Sequence, residues 1–127
     1  MDKDIKYWVD IAKYDLETAK AMQDTGRYVY VLFMCQQAIE KLLKAHVVKT
    51  TRSFPPRLHN LLRLLEIANL DMVEEDKKFL DRLSYYYLES RYPKEKKKIS
   101  GETNRSLAQR YLDKTKEMFK WIESRLM

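Results

Sequence analysis

The chain has 127 residues, of which 45% are hydrophobic and 35% charged, with only two glycines and three prolines. This length suffices for one hydrophobic core, and the scarcity of glycine and proline argues against a β protein, which needs many turns. The formal net charge of +6 favours an anionic partner.

Features that define several other protein classes are absent from the sequence. Cys35 is the single cysteine, so no intrachain disulfide and no paired-cysteine metal site can form. The two histidines lack a third ligand at metal-binding spacing. The start MDKDIKYWVD is charged from its second residue, unlike a signal peptide, and no apolar run approaches the ~20 residues of a membrane span. We therefore expect a soluble cytoplasmic protein without metal or cofactor.

Apolar residues recur every three or four positions along most of the chain, which predicts amphipathic helices. Because the connections between them are short, the predicted fold is an all-α, up-and-down bundle of four to five helices. Residues 1–127 are expected to form a single domain. The predicted helices cover residues 4–24, 28–49, 58–70, 74–92 and 104–126.

The second predicted helix is apolar on nearly all sides. Beside its inner stripe, four further apolar residues project in another direction: Val29, Tyr30, Phe33 and Met34. A helix that is apolar all round is buried all round. We expect a second copy of the chain to supply the cover, which makes these four residues a homodimer interface. The alternative is that another helix of the same chain covers them.

A strongly basic segment follows the fourth predicted helix. Pro93 disfavours helix at Tyr92, so that helix should end near Arg91, at the edge of its buried face. Residues 91–98 carry five positive charges and one negative charge, a net +4. The lysines of this segment, predicted to lie in a mobile loop, are Lys94, Lys96, Lys97 and Lys98.

The basic segment is predicted to bind an anion such as phosphate. Ser100, Thr103 or Asn104 can cap the next helix, whose free N–H groups would then point back towards the lysines. An arginine, mobile lysines and a helix N-terminus are all suited to phosphate. The alternative is that Arg91 only complements the helix dipole and the lysines are solvated.

Polar residues elsewhere are weaker candidates. Gln36, Glu40 and Lys44 are spaced by four residues and form a polar ridge, which either lines a cleft or holds a simple ion pair. His59 falls in the first turn of the third predicted helix, where its ring can contact a phosphate. His46 falls on an apolar arc and is expected to be a packed core residue.

Four segments, in their order and spacing, resemble the HEPN family: YDLETAKAM, CQQAIEKLLKAHV, RLHNLLRLL and YYYLESRYP. The resemblance implies a bundle of four or five helices that usually dimerises. It also implies pairing with a minimal nucleotidyltransferase, as in toxin–antitoxin systems. Many members are metal-independent ribonucleases whose site is an arginine followed, after four to six residues, by a histidine. Other members are described as nucleotide-binding.

The sequence departs from that nuclease motif. With Arg91 as the motif arginine, the histidine would fall at position 96, 97 or 98, where this chain has lysines. A histidine transfers protons near neutral pH, whereas an ordinary lysine, with a pKa near ~10.4, is charged and cannot act as a base. The sequence therefore predicts a nucleotide- or RNA-binding partner of a nucleotidyltransferase, with a degenerate nuclease motif, rather than an enzyme.

Two alternatives remain open at this stage. The first is a metal-independent ribonuclease that uses Arg91, with His59 or the second-helix carboxylate Glu40 replacing the absent histidine. The second is a non-catalytic, dimeric interaction module in which the lysines are only solvated.

Overall fold

A computed structural model describes residues 2–126. Its helices are α1 (Lys3–Asp24), α2 (Tyr28–Thr51), α3 (Leu61–Ile67), α4 (Glu74–Glu89), α5 (Pro93–Glu102) and α6 (Arg105–Ser124). No strand occurs within residues 2–126, so the predicted all-α bundle is confirmed, with six helices instead of four or five. None of the helices in this range combines the length and hydropathy that a membrane crossing requires.

Local signals determine the turn from α1 into α2. Asp2 caps α1, since its Oδ1 accepts a hydrogen bond from the Asp4 backbone N–H at 2.8 Å. After α1 the chain reverses at Gly26, whose φ of 77° lies in the left-handed region that glycine adopts without strain. α1 then packs along α2 as its main partner.

α2 is the central helix of the bundle and contacts each of the other five. This position explains its apolar character, because its own chain covers most of its surface. At the expected dimer face, Phe33 packs on Tyr87 of α4 with ring centroids 5.0 Å apart, and Met34 packs against the core. Val29 is half-buried and Tyr30 is 40% exposed. The apolar back of α2 therefore does not by itself require a second copy, and the homodimer stays a prediction.

The prediction that the basic segment is a mobile loop is wrong, because residues 93–102 form helix α5. Pro93 occupies the first turn, where its missing N–H costs no hydrogen bond and its fixed φ suits a helix. The proline that ends α4 thus also begins α5, with Tyr92 extended between them at φ −100° and ψ 125°. Ile99, only 3% exposed, anchors α5 to the bundle.

The third helix is shorter than predicted. It begins at Leu61, because Asn60 is its N-cap and accepts a hydrogen bond from the Arg63 N–H at 3.1 Å. It ends at Ile67. His59 consequently lies in the connector before the cap, and its predicted place in the first helical turn is wrong.

His46 is a packed core residue, as predicted, and it makes stability depend on pH. Its ring is buried, with Nε2 donating to the Ile122 carbonyl oxygen at 2.7 Å. Burial lowers the pKa of His46 below its ordinary value of 6.5, so the unfolded chain takes up the proton first as the pH falls. We expect the melting temperature to fall from about pH 7.5 to about pH 5.5, and less steeply in His46→Gln. Equal slopes in the two proteins would contradict this assignment.

Candidate functional site

The polar ridge of α2 is buried, not exposed. Gln36, Glu40 and Lys44 point into the bundle from successive turns of the helix. Glu40 accepts a hydrogen bond from Gln36 Nε2 at Oε1 (3.1 Å) and another from Lys44 Nζ at Oε2 (3.3 Å). A buried charge needs such partners, because it has lost its hydration. The three side chains therefore form one connected network.

His59 completes this network from the connector before α3. Its Nδ1 lies 2.9 Å from Glu40 Oε1, and Gln36 Nε2 also donates to the His59 backbone carbonyl at 3.0 Å. Because a carboxylate only accepts, Nδ1 is the protonated nitrogen in this contact. Nε2 has no hydrogen-bond partner within residues 2–126. The His59 side chain is 44% exposed against 2% for Glu40, so the pair extends from the interior to the surface.

Two aromatic rings pack in a row beside His59: that of Tyr87, which is buried, and that of Phe33, which is half-buried. The ring of Tyr87 lies 5.3 Å from that of His59 and 5.0 Å from that of Phe33, measured between centroids. One turn before Tyr87, the Ser84 hydroxyl accepts a hydrogen bond from the Leu61 N–H at 3.1 Å, which ties α4 to the start of α3. This tie fixes the connector that carries His59.

A basic groove lies at the other end of the aromatic row. It has a volume of about 120 Å³. Lys96 extends over Tyr30, with its Nζ 4.7 Å from the ring centroid and a hydrogen bond to the phenol oxygen. We name it the Arg91 groove; its lining residues are Val29, Tyr30, Phe33, Ser90, Arg91 and Lys96.

The four lysines of the predicted cluster lie on α5 and point in different directions. A helix turns by about 100° per residue, so Lys96 lies near the inward direction of Ile99 while Lys94 and Lys97 point away. Lys96 is half-buried, whereas Lys94, Lys97 and Lys98 are exposed. The structure thus brings only Arg91 and Lys96 into one groove. Within residues 2–126, neither of these two makes an ion pair with a carboxylate.

The helix start expected to follow the basic segment is that of α6, which begins at Arg105. Asn104 does cap α6, accepting a hydrogen bond from the Leu107 N–H at 2.9 Å. Ser100, however, lies within α5, and Thr103 ends that helix by donating to the Ile99 carbonyl. The start of α6 is therefore separated from Arg91 by the whole of α5.

The network and the groove lie on one face of the molecule. The rings of Tyr87 and Phe33 connect them. α4 ends at Glu89, earlier than the predicted end near Arg91, so Arg91 lies in the turn that follows the helix. We call this the α2–α4 face; it comprises Phe33, Glu40, His59, Tyr87, Arg91 and Lys96. Tyr87 is a buried residue of α4, and its ring packs between those of His59 and Phe33.

The face combines two kinds of chemistry. Arg91 and Lys96 are cations suited to phosphate, and His59, whose Nδ1 proton is held by Glu40, is a residue type that transfers protons. Among residues 2–126, no three histidine, cysteine or acidic side chains are grouped so that they could hold a metal ion.

Comparison with known proteins agrees with the fold. The family model described as HEPN domain matches residues 5–125. Among solved structures, TT1696 from Thermus thermophilus is 25% identical with a TM-score of 0.79, covering 97% of this chain and 98% of that one. ST0689, an archaeal HEPN homologue, is 20% identical with a TM-score of 0.76 over 100% of both chains. No curated protein matches. This chain belongs to the HEPN domain family.

Proposed function

We propose that this HEPN protein binds a phosphate of a nucleotide or of RNA in the Arg91 groove. The observation that supports the proposal is that Arg91 and Lys96, two cations without carboxylate partners among residues 2–126, line one groove together with Tyr30 and Phe33. Cations beside aromatic rings suit nucleic acid, since the cations neutralise phosphate while the rings stack with bases. Arginine adds a planar fork that matches phosphate oxygens.

Neighbouring lysines of α5 provide a matched test of the groove. Lys96 lines it, whereas Lys97 carries the same charge on the outer side of the helix. We expect Lys96→Ala to weaken binding of single-stranded RNA by about fivefold and to reduce the salt slope of log K by about 0.7, with little change in Lys97→Ala. Fluorescence anisotropy at several salt concentrations measures both. Equal losses in the two variants would point to diffuse attraction by net charge instead of a groove.

The partner we propose is a minimal nucleotidyltransferase, in a toxin–antitoxin-like pair. Family membership supports this pairing, because the pairing is common among HEPN proteins. Its test is co-purification with a nucleotidyltransferase encoded beside the gene for this chain. The pairing fails if no such neighbour exists or if no complex forms.

A homodimer through Val29, Tyr30, Phe33 and Met34 is also proposed. Three of these residues line the Arg91 groove, so a second copy on this face would bring two grooves together. Phe33→Glu is expected to yield monomers in size-exclusion chromatography with light scattering. Tyr85→Glu is the control, because Tyr85 is exposed and lies on the side of α4 opposite to Tyr87, which contacts Phe33. A dimer that persists in Phe33→Glu places the interface elsewhere.

A second candidate function is metal-independent ribonuclease activity, and the 2.9 Å contact between His59 and Glu40 favours it. In this reaction Nε2 takes the proton of a ribose 2′-hydroxyl, whose oxygen attacks the adjacent phosphorus. The bond from phosphorus to the 5′-oxygen breaks, and that oxygen takes a proton from water. A 2′,3′-cyclic phosphate and a 5′-hydroxyl result, while Arg91 offsets the charge that develops on phosphate.

Activity by this route has a clear signature. RNA should be cut in the presence of chelator, and cutting should disappear in both His59→Ala and Arg91→Ala. Intact RNA after incubation with the wild-type protein would exclude this candidate while leaving phosphate binding in place.

A further inference from the structure

A second groove lies on the other side of Tyr30. It has a volume of about 340 Å³ and shares Val29 and Tyr30 with the Arg91 groove. The shared residues form a divide between the two, so a single phosphate cannot occupy both. The other residues that line the second groove are Gly26, Arg27, Tyr28, Ser100 and Thr103.

Arg27 is the cation of this second groove, and its guanidinium has no evident structural task. The residue is exposed and precedes α2 at the N-cap position, but its side chain makes no capping hydrogen bond. Within residues 2–126 it takes part in no ion pair. Its five N–H donors are therefore available to an anion. Ser100, also exposed, adds a hydroxyl to the lining of the same groove.

Tyr30 lines both grooves, the one with Arg91 and Lys96 and the one with Arg27. The residue is 40% exposed, and Lys96 Nζ lies over its ring on the side of the Arg91 groove, 4.7 Å from the centroid. A base stacked on this ring would have one phosphate towards Arg91 and Lys96 and the next towards Arg27. Stacking of this kind tolerates any base, because every base presents a π face.

We propose that Arg27 forms a second phosphate subsite and that the ligand is a single strand with at least two adjacent phosphates, not a mononucleotide. This inference rests on the proposed function, since it assumes that the first phosphate lies in the Arg91 groove, and it requires that a second copy of the chain leave the ring of Tyr30 uncovered. Tyr30 is the platform that sets the distance between the two phosphates.

The test is a length series in competition with fluorescent hexauridylate. Uridine 5′-monophosphate carries one phosphate, and the dinucleotide pUpU carries two. We expect wild-type protein to bind pUpU about tenfold more tightly than the mononucleotide, because a second phosphate contact forms. Arg27→Ala should keep the wild-type affinity for the mononucleotide but lose the tighter binding of pUpU. Tyr30→Ala should also lose the tighter binding of pUpU, whereas Tyr30→Phe should keep it.

Arg82→Ala is the matched control, because Arg82 is an exposed arginine of α4 that lines a different groove, between α4 and α6. The second subsite is overturned if Arg27→Ala and Arg82→Ala behave alike at every length, or if pUpU binds no better than the mononucleotide. If Arg91→Ala binds every ligand as tightly as wild type, the proposed function itself fails, and not only the second subsite. Light scattering in the same buffers checks that each variant keeps the wild-type mass.

Discussion

Replacing Glu40 with alanine is expected to lower the free energy of unfolding by about 3 to 5 kcal/mol. Glu40 is the acceptor at the centre of the α2 network, where it binds Gln36, Lys44 and His59. Truncation would leave the Lys44 ammonium, which is also buried, without its carboxylate. It would also leave a donor of Gln36 unpaired in the interior. The loss is large because these groups cannot recover their hydration without opening the bundle.

Urea unfolding followed by circular dichroism measures this loss. Glu66→Ala is the matched control, since Glu66 pairs with Arg63 at 2.9 Å on the surface, where both side chains are mostly exposed. Removing that exposed pair should cost about 0 to 1 kcal/mol. If Glu40→Ala costs no more than Glu66→Ala, the buried network does not stabilise the fold in the way described.

Replacing Arg91 with alanine is expected to weaken binding of single-stranded RNA by about tenfold to a hundredfold. This range corresponds to the loss of a charged hydrogen bond worth about 1.5 to 3 kcal/mol. Arg91 is exposed and makes no ion pair within residues 2–126, so the fold should not suffer. Arg91→Lys should recover only part of the affinity, because lysine keeps the charge but lacks the planar fork.

Anisotropy titrations of wild type, both Arg91 variants and the control Arg82→Ala measure this effect. Thermal melts of the same samples check that the fold is retained. An Arg91→Ala dissociation constant within about twofold of wild type would remove Arg91 from the site, since even one weak phosphate contact exceeds that change.

Most of the fold could be predicted from the sequence because its signals are local. The apolar periodicity of α1, α2, α4 and α6 appears directly in the order of residues. Asp2 and Gly26 act on backbone groups within a few positions of themselves, so their roles as cap and turn are also legible. The HEPN resemblance, confirmed by the family match over residues 5–125, rests on the order of such segments.

α5 could not be predicted in the same way. Ile99 is its one buried residue, so the segment has no apolar stripe to reveal a helix. Pro93 is a signal for both a helix end and a helix start, and only the packing of Ile99 against the bundle favours the second. The same packing decides which lysine faces the groove.

The candidate site was predictable only in part, because its key contact is tertiary. Glu40 and His59 are nineteen residues apart and meet only after the connector folds back from α2. Arg91 could be identified from the sequence as a cation near the end of α4, but its position in the same groove as Lys96 depends on the angle at which α5 leaves Pro93. The spacing of apolar residues in one sequence does not determine that angle, because tertiary packing sets it.

The central claim is that the Arg91 groove binds RNA phosphate. Its most direct test is titration of a fluorescent single-stranded RNA into metal-free protein at two salt concentrations, with Arg91→Ala in parallel and the RNA examined afterwards on a gel. We predict binding that weakens as salt rises, is at least about tenfold weaker in Arg91→Ala and leaves the RNA intact. Absence of binding at low salt, or equal binding by Arg91→Ala, would contradict it.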